Sequence, residues 1–182
     1  MTARAFRQSA AFIRGRDGEQ RVAAWLQGRG WYIIPSYDYS GEHGDKAPKI
    51  QGAADAIVLP DLGIARAGQM KWAEVKAKAG PTFTVTTQTY DHGIGYRKWQ
   101  HYRRVQQETG CHVWLFIVEE CSQLLLAESL DKLGDGRLYD DNKMDPGGMV
   151  FWPRLRFGCK LLLTAIPGLF DPAVPVAFEV EP

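Results

Sequence analysis

Glu74-Val75-Lys76 is the part of this sequence best equipped for chemistry. In an extended strand alternate side chains share a face, so Glu74 and Lys76 point to one side and Val75 to the other. A carboxylate and an ammonium then occupy one site. At average composition an acid, any residue and a lysine occur in that order about once in a chain of this length, so the tripeptide gains meaning only from its company.

Two other carboxylates provide that company. Asp55 interrupts an otherwise apolar run, where an isolated charge is costly unless a cation or hydrogen-bond donors meet it. A metal ion would supply the cation; the competing reading is a strand-end residue that caps a neighbouring turn. Glu19 lies three, four and seven residues before Val22, Ala23 and Leu26, on the face its helix buries. Asp17 and Gly18 just before it lend weight to the competing reading, a capping or first-turn residue facing the helix dipole, but the site role is preferred.

Positioning these groups requires a set of elements. The periodicity predicts a helix over 14–29, stopped by Gly28 and Gly30, and a strand over 31–35. Residues 36–52 read as a functional loop rich in Gly, Asp and Lys. Residues 53–59, closed by Pro60 and Asp61, and residues 71–78 read as two strands paired with each other. A second helix is expected over 95–108, with Tyr96, Trp99, Tyr102 and Val105 spaced by threes and Gly110 as its C-cap. A buried strand follows over 112–118, then a short helix over 129–133 and strands at 149–152 and 156–163. The order implies an α/β sandwich in which helices cover a mixed sheet.

The 182 residues, 45% hydrophobic and 24% charged, suit one globular domain spanning 1–182, with a C-terminal extension from about residue 127. No apolar run of about eighteen residues or secretory signal is present, so a cytoplasmic location without membrane contact is expected. Cys111, Cys121 and Cys159 form no CxxC pair and read as small core residues. A formal charge of +1 means that any nucleic-acid affinity must come from local clusters of Lys and Arg.

Gly18-Glu19 with Val22-Ala23, Leu26 and Gly30-Trp31, then Gly52-Ala53-Ala54-Asp55, then Glu74-Val75-Lys76 resemble the PD-(D/E)XK nuclease superfamily, in particular archaeal Holliday-junction resolvases and related phage and restriction enzymes. The resemblance covers about residues 14–118, and Ala54 stands where the family name has proline. It implies a restriction-endonuclease-like α/β fold, with a mixed central β-sheet flanked by helices, and a metal-dependent nuclease acting on DNA. By the same resemblance Asp55, Glu74 and the Val75 carbonyl hold Mg²⁺ or Mn²⁺, Glu19 reaches the metal directly or through water, and Lys76 orients or deprotonates the attacking water. Gln100 and Tyr102 resemble polar helix positions of exonuclease-like members. Whether two copies form a homodimer stays open.

Substrate contacts are expected from Arg97, Lys98, Gln100, His101, Arg103 and Arg104, a basic run interleaved with aromatic residues that also read as core. No GxSxG, HExxH or Walker-type loop is present, and His43, His92, His101 and His112 lack metal-ligand spacing. The acidic residues Asp140, Asp141 and Asp145 precede Pro146-Gly147-Gly148 and read as turn chemistry. Two readings compete with a nuclease. One is a nucleic-acid-binding protein that keeps the fold without turnover. The other is an interaction protein whose exposed strand carries Glu74 and Lys76 as solvated residues.

Overall fold

Ser9 opens the first helix, α1 (Ala10–Gln27): its hydroxyl accepts the Phe12 N–H at 3.2 Å. The helix starts a turn earlier than its apolar period suggests, because Ala10 to Ile13 lie outside the Val22–Leu26 stripe. Gly30, at φ 76°, turns the chain into β1 (Tyr32–Pro35). The computed structural model describes residues 9–35, 49–51, 56–140 and 147–163; Asp55, His43, Asp141 and Asp145 lie outside them.

Within the stretch read as a loop, β2 (Lys49–Gln51) pairs antiparallel with β3 (Ala56–Val58). This corrects the expected pairing of residues 53–59 with 71–78. The antiparallel neighbour of β5 (Gln69–Lys78) is instead β4 (Leu62–Arg66), joined to it by the two-residue turn Ala67-Gly68 with φ 47° and 79°. Positive φ at both positions matches the twist of a tight hairpin. A second hairpin, β6 (Thr82–Thr84) with β7 (Thr89–Gly95), leads directly into α2 (Tyr96–Thr109), which ends on Gly110 at φ 67°.

The chain then adds β8 (Val113–Glu119), β9 (Leu124–Ser129), the single-turn helix α3 (Leu130–Leu133), β10 (Arg137–Tyr139), β11 (Met149–Pro153), a 3-10 turn at Arg154–Arg156 and β12 (Cys159–Leu162). Among the described residues the central sheet runs β1-β4-β5-β8-β9-β12. Only its β5–β8 pair is parallel, so the sheet is mixed. A second sheet runs β10-β11-β7-β6.

Two cores result. On one face of the central sheet, Val22 and Leu26 of α1 pack on Ala73, Val75, Phe116 and Val118. Burying each of those two helix side chains contributes roughly 1.5–3 kcal/mol. On the other face Tyr102 and Val105 of α2, with Ile94, Val150 and Trp152 of the second sheet, close over Leu115, Ile117 and Leu126. Tyr102 thus belongs to the core, as its spacing suggested. Cys121 does not: its side chain is exposed and Cys111 is half-buried, so the core reading is corrected for these two, the Cys121 position lying on the turn between β8 and β9. Among the described residues no helix is long and apolar enough to cross a membrane.

Candidate active site

The parallel β5–β8 pair fixes the middle of the central sheet, and β5 alternates as expected. Ala73, Val75 and Ala77 face α1, while Glu74, Lys76 and Lys78 face the side covered by α2. Glu74 is 0% exposed, which overturns the reading of this strand as a solvated interaction surface. Burial pushes the Glu74 carboxyl up. The Lys76 and Lys98 ammoniums, with hydrogen bonds from Lys76 and the Tyr102 hydroxyl, outweigh that and hold it below the usual carboxylate range. Lys98 comes from the first turn of α2, its Nζ 3.7 Å from Glu74 Oε1.

A residue absent from the sequence-based site completes the cluster. Asp61, 6% exposed, lies between β3 and β4, and its Oδ2 accepts the Val75 N–H at 2.8 Å. Burial and the adjacent Glu74 charge push its carboxyl up to about 7, against the lowering influence of Lys76 and the Val75 N–H. Pro60 precedes it, so the chain does carry a Pro-Asp pair ahead of Glu74-Val75-Lys76. The signal was present in the sequence but read as the terminator of a strand.

The Lys76 ammonium gathers the site's oxygens. It pairs with Glu74 Oε1, donates to the Val75 carbonyl at 3.1 Å and lies 3.8 Å from Asp61 Oδ2. Two carboxylates and one carbonyl therefore converge on a single cation. These are hard oxygen donors of the kind that hold Mg²⁺ or Mn²⁺. Among the described residues no three His, Cys, Asp or Glu side chains meet in a metal-binding group.

Glu19 stands mid-helix in α1, not in its first turn, so the helix-start explanation for it does not hold. Its negative charge is felt at Asp61 and raises that carboxyl further. The neighbouring Gly18 makes the approach: a Cβ there would sit 3.0 Å from Ala77 Cβ of β5. Asp17 meanwhile pairs with Arg21 at 2.8 Å, one turn on.

The basic run on α2 divides. Lys98 reaches Glu74, whereas Arg103 lies 3.9 Å from Asp131, which also binds Gln106 and His112 in a shallow depression at the far end of the helix. Arg97 and Gln100 are exposed, and His101 and Arg104 are half-buried. Tyr96 and Trp99 stack on each other with centroids 5.6 Å apart and pack against the core.

Neither a protein-family model nor a curated protein matches this chain. Among solved structures it is similar to Archaeoglobus fulgidus Hjc, a Holliday junction resolvase from an archaeal hyperthermophile, with a TM-score of 0.51 and 9% identity. The fold is restriction-endonuclease-like. The similarity covers 82% of this chain and 91% of the resolvase, so it extends past the stretch 14–118 that carries the sequence resemblance. The restriction-endonuclease-like core here is a mixed sheet with α1 on one face and, on the other, α2 together with the second sheet.

Proposed function

We propose that this protein is a Mg²⁺- or Mn²⁺-dependent nuclease that hydrolyses phosphodiester bonds in DNA. The observation that carries this reading is the convergence of Asp61, Glu74 and the Val75 carbonyl on the Lys76 ammonium. The fold likeness to a Holliday junction resolvase agrees with it and suggests structure-specific DNA as the substrate class. Asp55 remains a candidate further ligand on the sequence argument alone.

In this reading Asp61, Glu74 and the Val75 carbonyl hold the ion, and Glu19 stands behind Asp61. A bound divalent ion polarises the phosphate and lowers the pKa of its water. The residues supply the rest. Glu74, buried and held ionised, is a ready anionic ligand. Lys76 would place positive charge beside the scissile phosphate and orient the attacking water. Tyr102 and Lys98 fix the Glu74 carboxylate from the α2 side.

A panel of labelled junction, flap, duplex and single-stranded substrates, incubated with Mg²⁺, Mn²⁺ or EDTA, tests this. Cleavage should require the ion, and Lys76→Ala should reduce turnover by roughly 10²-fold or more through loss of transition-state charge stabilisation, while metal binding measured by calorimetry survives. Cleavage in EDTA, or parental rates from Lys76→Ala, would overturn the reading.

A further inference from the structure

Glu74, Lys76 and Lys78 share one face of β5, and Lys98 reaches the same face from α2. Lys76 and Lys98 both spend their charge on Glu74. Lys78 is half-buried and, among the described residues, has no such anion. Burial, and the like charges of Lys76 and Lys98, hold its ammonium below the ordinary lysine range. Glu119 stands beside it across the parallel ladder. That carboxylate, however, is taken up by His92, Ser122 and two nitrogens of the Arg154 guanidinium.

Three ammoniums thus share one side of β5, and two of them pair with the buried Glu74 carboxylate while Lys78 has no such anion among the described residues. A half-buried ammonium without a paired anion calls for one from outside. The start of α2 adds to this demand, since its first turn has no acidic residue and no side-chain cap. The Cα atoms of Lys76 and Lys78 lie about 6.7 Å apart along an ideal strand, a step comparable to that between neighbouring phosphates of one nucleic-acid strand.

We propose that Lys78 is a substrate-holding residue: it grips the phosphate next to the scissile one, so that Lys76 and Lys78 meet consecutive phosphates of a single strand. This inference deepens the nuclease reading and rests on it for the identity of the substrate.

The test uses the full chain, a fluorescent DNA duplex and two variants. Lys78→Met keeps the aliphatic stem and removes the charge; Lys78→Arg keeps the charge. In EDTA, anisotropy titrations over a range of NaCl should show the log K against log salt slope of Lys78→Met reduced by about 0.7–0.9, the share of one phosphate contact, with Lys78→Arg near the parent. With Mg²⁺ the loss in kcat/KM should reside in KM. A Lys78→Met slope and KM equal to the parent's, at a melting temperature showing a folded variant, would overturn the proposal. Should Lys78→Met fail to fold, Lys78→Gln takes its place with the same expected slope. If the parent binds duplex but cuts nothing with either metal, the nuclease reading falls while the slopes still decide Lys78. If the parent binds no nucleic acid, both fall.

Discussion

In the proposed nuclease, Asp61 is the residue on which stability and function pull in opposite directions. Its carboxyl sits near 7 in the folded protein, against an ordinary value of 3.8. Between those values the folded state holds a proton that the unfolded chain has released. In metal-free protein the stability linked to Asp61 is therefore full below about pH 4 and is lost as pH rises through 7. Asp61→Asn removes that loss while leaving an oxygen for the Val75 N–H. In EDTA the variant should melt higher than the parent at pH 8, by up to about 4 kcal/mol of stability, and the two should converge near pH 4. With Mg²⁺ its cleavage should collapse. Equal melting temperatures at both pH values would show that Asp61 is not a buried, strained carboxyl. The sequence hid this residue because Pro-Asp after an apolar run has ordinary turn chemistry. Only the fold reveals that the chain bends Asp61 back onto β5. Glu74 and Lys76 were legible because strand alternation is a local rule that tertiary structure seldom disturbs.

At the scale of elements, α1 delivers Glu19 only if it can lie close to β5, and Gly18 is the point of contact. A larger side chain there meets Ala77 and Val118, so Gly18→Val should force the helix outward. Overpacking of this kind costs about 1–3 kcal/mol, and here it should also lower cleavage by moving Glu19 away from Asp61. Gly15 lies in the same helix with open space around it. Gly15→Ala should accordingly stabilise by roughly 0.5–1 kcal/mol through helix propensity and leave cleavage alone. Thermal melts and cleavage rates of the two variants check this; a Gly18→Val protein as stable and active as the parent would mean that α1 does not depend on that contact. The helix itself was legible from Val22 and Leu26. The pairing of β4 with β5 was not, because the turn that joins them is Ala67-Gly68, without the Asn-Gly or Asp-Gly signal that marks a tight hairpin.

The whole molecule depends on how its two sheets are joined, and that joint left no local mark in the sequence. His92 was read only as a histidine without ligand spacing, and Glu119 and Arg154 drew no reading at all, because Glu119 stands 27 residues from His92 and 35 from Arg154 along the chain. In the fold Glu119, at the end of β8 and 1% exposed, accepts from Arg154 Nε at 2.9 Å and Nη2 at 2.6 Å and pairs with His92 Nε2 at 2.7 Å. Because β7 carries His92 and runs straight into α2, this joint also sets where Lys98 and Tyr102 meet Glu74. Burial raises the Glu119 carboxyl, but hydrogen bonds from Arg154, Ser122 and His92 more than offset it and bring it down to about 2. Its contribution to stability is present above the unfolded value of 4.5 and is lost as pH falls from there toward 2. Burial, outweighing Glu119, holds His92 below its ordinary 6.5. The unfolded chain therefore takes up that proton first, and stability begins to fall as pH drops through 6.5. Both groups give the same sign, so the joint loses stability from about pH 6.5 into the acid range, against the gain from Asp61 between pH 7 and 4 and unopposed below pH 4. Glu119→Gln leaves the Arg154 guanidinium without its counter-charge and should destabilise by about 3 kcal/mol at pH 7. It should also flatten the acid limb below pH 4.5, where the parent's carboxylate is being protonated. Urea melts of the parent and Glu119→Gln between pH 3 and 8, beside cleavage rates at neutral pH, measure both effects. An acid limb as steep in the variant as in the parent would place the acid sensitivity elsewhere. A stable variant with normal cleavage would show that α2 is positioned without this joint.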